Sequence, residues 1–309
     1  MTSIISSRHV RLGTRGSALA LWQARWVAEA LQTHHPGLTT EVIVIKTTGD
    51  KNRRDPLSQL GTKGLFVKEL EEALLHQTID VAVHSMKDMP TELPPGLHLE
   101  TIPQRGEARD AFVGRAGCRL VELNGPCRIG TGSRRRQAQL LALYSNLQMQ
   151  DIRGNVDTRL RKMHHGEVDG VVLAAVGLIR LGLQQEITEL LPLEVMLPAP
   201  GQGALALETC QDHWINVVLA PLHDPPTASA VVAERAFLAH LGGGCMLPIA
   251  AFGQCQGQML HVQGLVSSPD GQHVLRCDIR GTMQEAAELG KRLAEQIRAN
   301  GADAILATM

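Results

Sequence analysis

The chain has 309 residues, enough for two or three domains, and its 30 basic and 31 acidic side chains leave a formal charge of −1. Near-neutrality argues against a general nucleic-acid binder, which needs a net basic face, and so few aromatics (4 Phe, 3 Trp, 1 Tyr) argue against base-stacking platforms. With 44% hydrophobic and 20% charged residues the composition is globular, with a core built from Leu, Val, Ile and Ala.

A strand is predicted over 9–12, and the turn Gly13-Thr14-Arg15-Gly16 leads to Ser17, a residue type that caps helix N-termini. The helix after it places Ala18, Leu21, Trp22, Ala28 and Leu31 on one face and stops at His35-Pro36-Gly37. A strand over 41–46 and a helix over about 65–75 come next. An alternating strand at Ile79, Val81 and Val83 then runs into His84-Ser85-Met86-Lys87-Asp88. Pro-rich stretches at 90–103, 197–201 and 220–226 mark boundaries. Between the first two lie a strand (128–130), a helix (134–145), a strand (149–153), a helix (156–163) and a strand (170–174). After the third come a helix over about 228–241, a Gly-rich loop and strands near Ile249, 260–266 and 273–278. A closing helix buries Ala286, Leu289, Leu293 and Ile297 and is capped at Asn300-Gly301. The alternation predicts α/β layers for the first two thirds and an α+β fold for the last.

The longest apolar run, 170–179, is too short to span a bilayer, and 1–15 has no apolar signal core, which predicts no membrane partner. The six cysteines (Cys118, Cys127, Cys210, Cys245, Cys255 and Cys277) form no C-x-x-C pair, which fits free thiols in a cytoplasmic protein. His34-His35 and His164-His165 have no companions at metal-ligand spacing, so no metal site is expected.

Three constellations can carry chemistry. In Gly242-Gly243-Gly244-Cys245, the glycines strip side chains from around a thiol; the loop reads as a buried free cysteine or as a thiol presented for covalent attachment. In 84–90, polar residues crowd the end of a strand, where α/β proteins place ligands; Asp88 is either an acid–base group or a turn cap before Pro90. In Gly130-Thr131-Gly132-Ser133-Arg134-Arg135-Arg136 a strand feeds a small-residue turn and a helix N-terminus, an anion site or a solvated basic face. Of the 30 basic residues 23 are arginine, and between Arg128 and Arg180 nine basic residues face four acids. Ile152-Arg153-Gly154-Asn155 repeats the strand–Gly–helix design, and with Arg159 and Arg180 the anion reading is the stronger one, because the guanidinium fork matches carboxylate and phosphate.

The segments RLGTRGSALALWQA (11–24), GTKGLFVKE (61–69), DVAVHSMKDMP (80–90), GTGSRRRQ (130–137), DIRGNVDTRL (151–160), LPAPGQGA (197–204) and GGGCMLPI (242–249) resemble the porphobilinogen deaminase (hydroxymethylbilane synthase) family, in order and over nearly the whole chain. The resemblance implies two lobes like those of periplasmic binding proteins, 1–103 with 201–222 and 104–200, plus a smaller α+β domain over 223–309. It implies a cytoplasmic monomer, with no nucleic-acid partner, that joins four porphobilinogens head to tail with loss of ammonia to give hydroxymethylbilane. It further implies a dipyrromethane cofactor on a thioether to Cys245 and Asp88 as catalytic acid. Carboxylates of cofactor and substrate would be bound by Arg15, Lys63, Lys87, Arg135, Arg136, Arg153, Arg159 and Arg180. Ser17, Gln23, Phe66, Ser85, Thr131, Ser133 and Gln202 would complete the site. The chain departs from the family pattern at Thr62, Gly132, Pro200, Gly242 and Ala250. Two other classes fit the pattern less well: a two-lobed binder of a polycarboxylate without chemistry, and nucleic-acid binding through Arg134–Arg136.

Overall fold

The structure is a computed structural model that describes residues 9–48, 67–123, 125–211, 213–243 and 247–307. Lys63, Phe66 and Cys245 lie outside the described residues. The chain divides into two compact units, Met1–Arg105 with Ala204–Ala228, and Gly106–Gly203 with Ser229–Met309.

The first segment runs β1 (His9–Thr14), α1 (Ala18–His34), β2 (Thr39–Val44), α2 (Lys68–Leu75), β3 (Val81–Ser85) and β4 (Leu97–Thr101). The second runs β5 (Asp110–Gly114), β6 (Arg128–Gly130), α3 (Arg134–Leu143), β7 (Gln148–Gln150), α4 (Val156–His164), β8 (Gly170–Ala174), α5 (Ala175–Arg180) and β9 (Glu189–Leu190). Then come β10 (Leu205–Cys210), α6 (Ile215–Leu219), α7 (Pro225–His240), β11 (Ile249–Gln256), β12 (Met259–Ser267), β13 (Val274–Thr282), α8 (Ala286–Ala299) and α9 (Ala302–Leu306).

Each of the first two sheets has five strands, in the orders β2-β1-β3-β10-β4 and β7-β6-β8-β5-β9. The two orders are one design. A first strand lies between its edge neighbour and the third strand, all parallel, and the fourth position is filled by an antiparallel strand. That strand is β5 in one unit and β10 in the other, in each case the first strand after the chain passes from one unit to the other. Both sheets carry helices on both faces. In the first unit Val10, Leu12, Val83 and Leu207 pack with Val27 and Leu31 of α1, while Ala82 and Leu97 pack with Leu70 and Leu74 of α2. In the second, Val113 and Val171 pack with Leu160 and Met163 of α4, and Phe112, Ile129 and Val172 with Leu140 of α3. The three-stranded sheet β11-β12-β13 packs Leu260, Val262 and Val266 against Phe237 of α7 and Leu289 and Leu293 of α8. The fold is thus mixed α/β with an α+β C-terminal portion, as expected.

Local chemistry accounts for where the elements start. Ser17 caps α1, its Oγ accepting from the Ala20 N–H at 3.2 Å. α7 starts at Pro225, ahead of the predicted 228, because proline in a first turn forfeits no helical hydrogen bond. β2 starts at Thr39, two residues before the predicted 41, pairing Thr39 and Thr40 with His9 and Val10. The predicted strand 149–153 ends at Gln150, so Asp151, Ile152 and Arg153 are loop. Strands β4, β5, β9 and β10 were not anticipated. β5, Asp-Ala-Phe-Val-Gly, is buried throughout, so it has no alternation to read.

Candidate functional site

Parallel strands in α/β sheets present ligand-binding groups at their C-terminal ends. In the first unit β1 and β3 are parallel neighbours. The turns beyond them bring Arg15, Ser17, Ser85 and Asp88 around a cavity of about 70 Å³ that Gln23 and His84 also line. Gln23, buried on α1, donates from Nε2 to Ser85 Oγ at 2.8 Å, which fixes the serine at the strand end. A single 3-10 turn, Met86–Asp88, follows. Its Met86 side chain is buried and its Met86 N–H donates to the Ala204 carbonyl at 3.0 Å, so the turn is held from below while Asp88 stays exposed. Lys87 is half-buried.

Beneath this cavity lies a set of ionisable groups in an otherwise apolar layer. His84 Nε2 and Glu208 Oε2 are 3.0 Å apart, and their residues are 5% and 0% exposed. The pairing Ala206↔His84 and Glu208↔Ala82 puts both side chains on the sheet face that packs on α2, which contributes Glu71, 8% exposed. Glu208 Oε1 and Glu71 Oε1 are buried without a hydrogen-bond partner among the described residues. Burial pushes the Glu71 carboxyl above its ordinary range, and the Glu208 charge adds to that push. Sequence reasoning gave these residues no role. The available signal was an acid inside the apolar run Leu205-Ala206-Leu207-Glu208.

In the second unit the organising residue is Asp110, on β5 and fully buried. Its Oδ2 accepts from Arg135 Nη1 at 2.8 Å; its Oδ1 accepts from Arg136 Nε at 3.1 Å, Arg136 Nη2 at 2.7 Å and Gln202 Nε2 at 2.9 Å. Arg135 Nη1 also donates to the Leu197 carbonyl, Arg136 Nη1 to that of Val172, and Gln202 Nε2 to that of Ala108. Burial alone would push Asp110 upward, but the adjoining Arg135 and Arg136 charges outweigh it and hold the carboxyl well below the usual range. Arg135, Arg136 and Gln202 are thus buried and engaged internally, and they anchor the first turn of α3 and the 197–202 segment to β5.

Further cations gather at the strand ends of the same unit. Thr131, fully buried, accepts from the Ser133 N–H at 3.3 Å, and Ser133 sits at the N-cap position of α3 without a side-chain cap bond. Arg159, half-buried on α4, donates Nε to the Gly154 carbonyl at 2.8 Å. Burial lowers its guanidinium to about 10, with the positive charges of Arg136 and Arg153 adding to the effect and Asp151 opposing it. Arg180, half-buried at the end of α5, donates Nη2 to the Gly203 carbonyl at 2.9 Å and is lowered by burial to about 10. Gly132 has a steric reason: a Cβ there would lie 2.8 Å from Asp151 Oδ1 and 3.2 Å from the Ile152 carbonyl. The structure therefore groups Thr131, Ser133, Arg135, Arg136, Arg153 and Arg159 with Arg180 and Gln202 in one unit, and Arg15, Ser17, Gln23, Ser85, Lys87 and Asp88 in the other. Asp110 was missed by sequence reasoning because nothing local marks an acid that is paired across the sheet.

The C-terminal portion is held by two further internal contacts. Glu234 of α7, fully buried, accepts from the Gly201 N–H at 2.6 Å and the Gly253 N–H at 2.7 Å. Arg298 Nη2 donates to the His240 carbonyl at 2.8 Å, satisfying the end of α7 just before Gly242 and Gly243.

Residues 10–215 match the family model for the porphobilinogen deaminase dipyromethane cofactor binding domain, and residues 228–299 the model for the porphobilinogen deaminase C-terminal domain. The chain is 50% identical over 306 residues to a porphobilinogen deaminase of Syntrophotalea carbinolica, covering 99% of this chain and 97% of that protein. It is 49% identical over 304 residues to one of Geobacter metallireducens, covering 98% and 95%. Among solved structures, a TRAP periplasmic solute binding protein from Desulfovibrio salexigens is 11% identical with a TM-score of 0.43, covering 70% of this chain and 72% of that one.

Proposed function

Because the chain belongs to the porphobilinogen deaminase family, we propose that it joins four porphobilinogens head to tail, releasing ammonia, and frees hydroxymethylbilane by hydrolysis, using a dipyrromethane held by Cys245. The dipyrromethane supplies the free pyrrole position to which incoming units are joined. The observation that carries this reading is the cation cluster of the second unit, where burial and then the charges of Arg136 and Arg153 lower Arg159 to about 10 against the opposing Asp151. A cluster of guanidinium groups suits a polyanion, and every porphobilinogen brings an acetate and a propionate. Arg15 and Lys87 in the first unit and Arg153, Arg159 and Arg180 in the second hold these carboxylates. Arg135 and Arg136, tied to Asp110, supply charge while positioning the N-terminus of α3. Lys63 and Phe66 act from the segment between β2 and α2. Ser17, Gln23 and Ser85 orient the cavity in which Asp88 assists departure of ammonia and offsets the positive charge left on the methylene carbon. The protein works as a monomer in the cytoplasm. Among the described residues no helix is long and apolar enough to cross a membrane. We divide the chain into 1–103 with 201–222, 104–200 and 223–309, a reading supported by the compact unit Met1–Arg105 with Ala204–Ala228 and by the separate C-terminal match from 228.

Intact-mass spectrometry and a turnover assay test this function. The purified protein should exceed its sequence mass by one dipyrromethane, lose that excess in Cys245→Ser, and lose hydroxymethylbilane formation in Asp88→Asn with the fold retained. Hydroxymethylbilane production by protein at bare sequence mass would refute the cofactor assignment, and normal turnover in Asp88→Asn would refute the role of Asp88.

A further inference from the structure

The His84–Glu208 pair has the form of an oriented base: a buried histidine among the residues that line the Asp88 cavity, its Nε2 held by a fully buried carboxylate. We propose that His84, oriented by Glu208, is a second acid–base group of this site, which accepts the ring proton released each time a carbon–carbon bond forms. This rests on the function proposed above. Cleavage of the methylene carbon–nitrogen bond sends the electron pair out with ammonia and leaves a cationic methylene. The free α-carbon of the preceding pyrrole attacks that methylene, a carbon–carbon bond forms, and the α-hydrogen must leave as a proton so that the ring regains its π electrons. A base is therefore needed once per unit added, and the departed ammonia is the final acceptor, becoming ammonium.

The geometry suits His84 to this task. With Glu208 as acceptor, Nε2 carries the hydrogen and Nδ1 keeps the lone pair. The ionisable groups that act on His84 are Glu208 from β10 and Glu71 from α2; Arg15 after β1 and Asp88 after β3 line the same cavity, to which α1 and its cap contribute uncharged Gln23 and Ser17. Asp88, exposed on its turn, is thereby left to the carbon–nitrogen step and to charge stabilisation. Glu71 and Glu208 each retain a buried oxygen without a partner among the described residues, an expense in desolvation that a merely packed histidine does not require. Burial, with the neighbouring Glu208 charge adding to it, raises the Glu71 carboxyl above its ordinary range while His84 opposes the rise. Glu208 and Glu71 are positioning residues in this account.

The test uses the cofactor-loaded enzyme. In His84→Asn, kcat should fall about 100-fold, the loss usual for a missing general base, with KM little changed. Porphobilinogen deuterated at its free α-carbon should then show a normal isotope effect larger than that of the unaltered enzyme, because proton removal has become slow. Glu208→Gln removes the carboxylate that orients His84, so it should lower kcat with KM little changed and raise the same isotope effect. If His84→Asn fails to fold, the isosteric Glu208→Gln carries the test alone. A kcat within about twofold of normal and no added isotope effect, in His84→Asn or in Glu208→Gln, would overturn the proposal. Hydroxymethylbilane formation by the unaltered enzyme and its loss in Asp88→Asn report on the proposed function and do not involve His84.

Discussion

Asp110 shows how much one buried side chain decides. It is the shared acceptor for Arg135, Arg136 and Gln202, and through them β5, α3 and the 197–202 segment are tied at one point. Removing one partner of a buried ion pair leaves an uncompensated charge, which costs about 3–5 kcal/mol. Asp110→Ala leaves two buried guanidiniums and should lower unfolding free energy by at least that amount, read from denaturant midpoints. A midpoint within error of the unaltered protein would show that solvent already compensates the pair. Sequence inspection separates these residues by 25 positions or more and reads the arginines as ligand-binding groups; only the folded sheet shows that an internal acid has claimed them. Ser17 is the opposite case. Its capping role follows from its residue type three positions before the N–H it accepts from, a local relation that the sequence displays.

At the scale of elements, the helices were legible from their apolar faces and the parallel strands from short apolar runs bounded by turn residues. The spacing predicted α1, α4, α8 and strands β1, β3, β6 and β8 close to their observed bounds. The antiparallel strands β5 and β10 escaped, since strands buried on both faces show no period and their partners lie far away in sequence. Packing between α7 and α8 is equally non-local. A Cβ on Gly290 would lie 2.2 Å from the Ala233 carbonyl oxygen and 2.8 Å from Ala236 Cβ, so the two helices touch through backbone. α7 also carries Glu234, which holds Gly201 and Gly253, and it ends at the loop that leads to Cys245. Gly290→Ala should force the helices apart at a cost of roughly 1–3 kcal/mol, visible as a lower thermal midpoint. An unchanged midpoint would mean that the contact relaxes freely.

For the whole molecule, pH offers a test in which the carboxylates act with opposite signs. Burial pushes Asp80 upward, but the bonds from Arg11 (2.8 Å from the backbone N–H, 3.1 Å from Nε, 2.8 Å from Nη2) outweigh it and hold the group below its ordinary range. Glu107 is lowered mainly by its hydrogen bonds from Arg109, and Asp110 by Arg135 and Arg136 against its burial. Each such group contributes stability that is present above the unfolded carboxylate pKa of about 4 and lost as pH falls through the lower folded value. Glu71, raised by burial, works the other way: its contribution is intact at low pH and declines as pH rises from the unfolded value toward the folded one. Thermal midpoints should therefore fall steeply below about pH 4, and the fall should be shallower in Asp80→Asn. An acid slope identical in the two proteins would exclude the Arg11–Asp80 pair as a contributor.

A net charge of −1 describes this chain only as an average. The sequence alone determined the inventory: an Arg-rich stretch between 128 and 180, a Gly-rich loop around Cys245, an acid at the end of a strand, and enough ordered motifs to identify the family. Those features are contiguous, and local chemistry or pattern suffices to read them. The tertiary structure decided how the charges are spent. It pairs Arg135 and Arg136 with Asp110, brings Arg136, Arg153 and Asp151 to bear on Arg159, and buries His84, Glu71 and Glu208 together near the Asp88 cavity. Charge interactions and desolvation depend on distance and burial, which the fold sets by bringing together positions more than a hundred residues apart, such as His84 and Glu208.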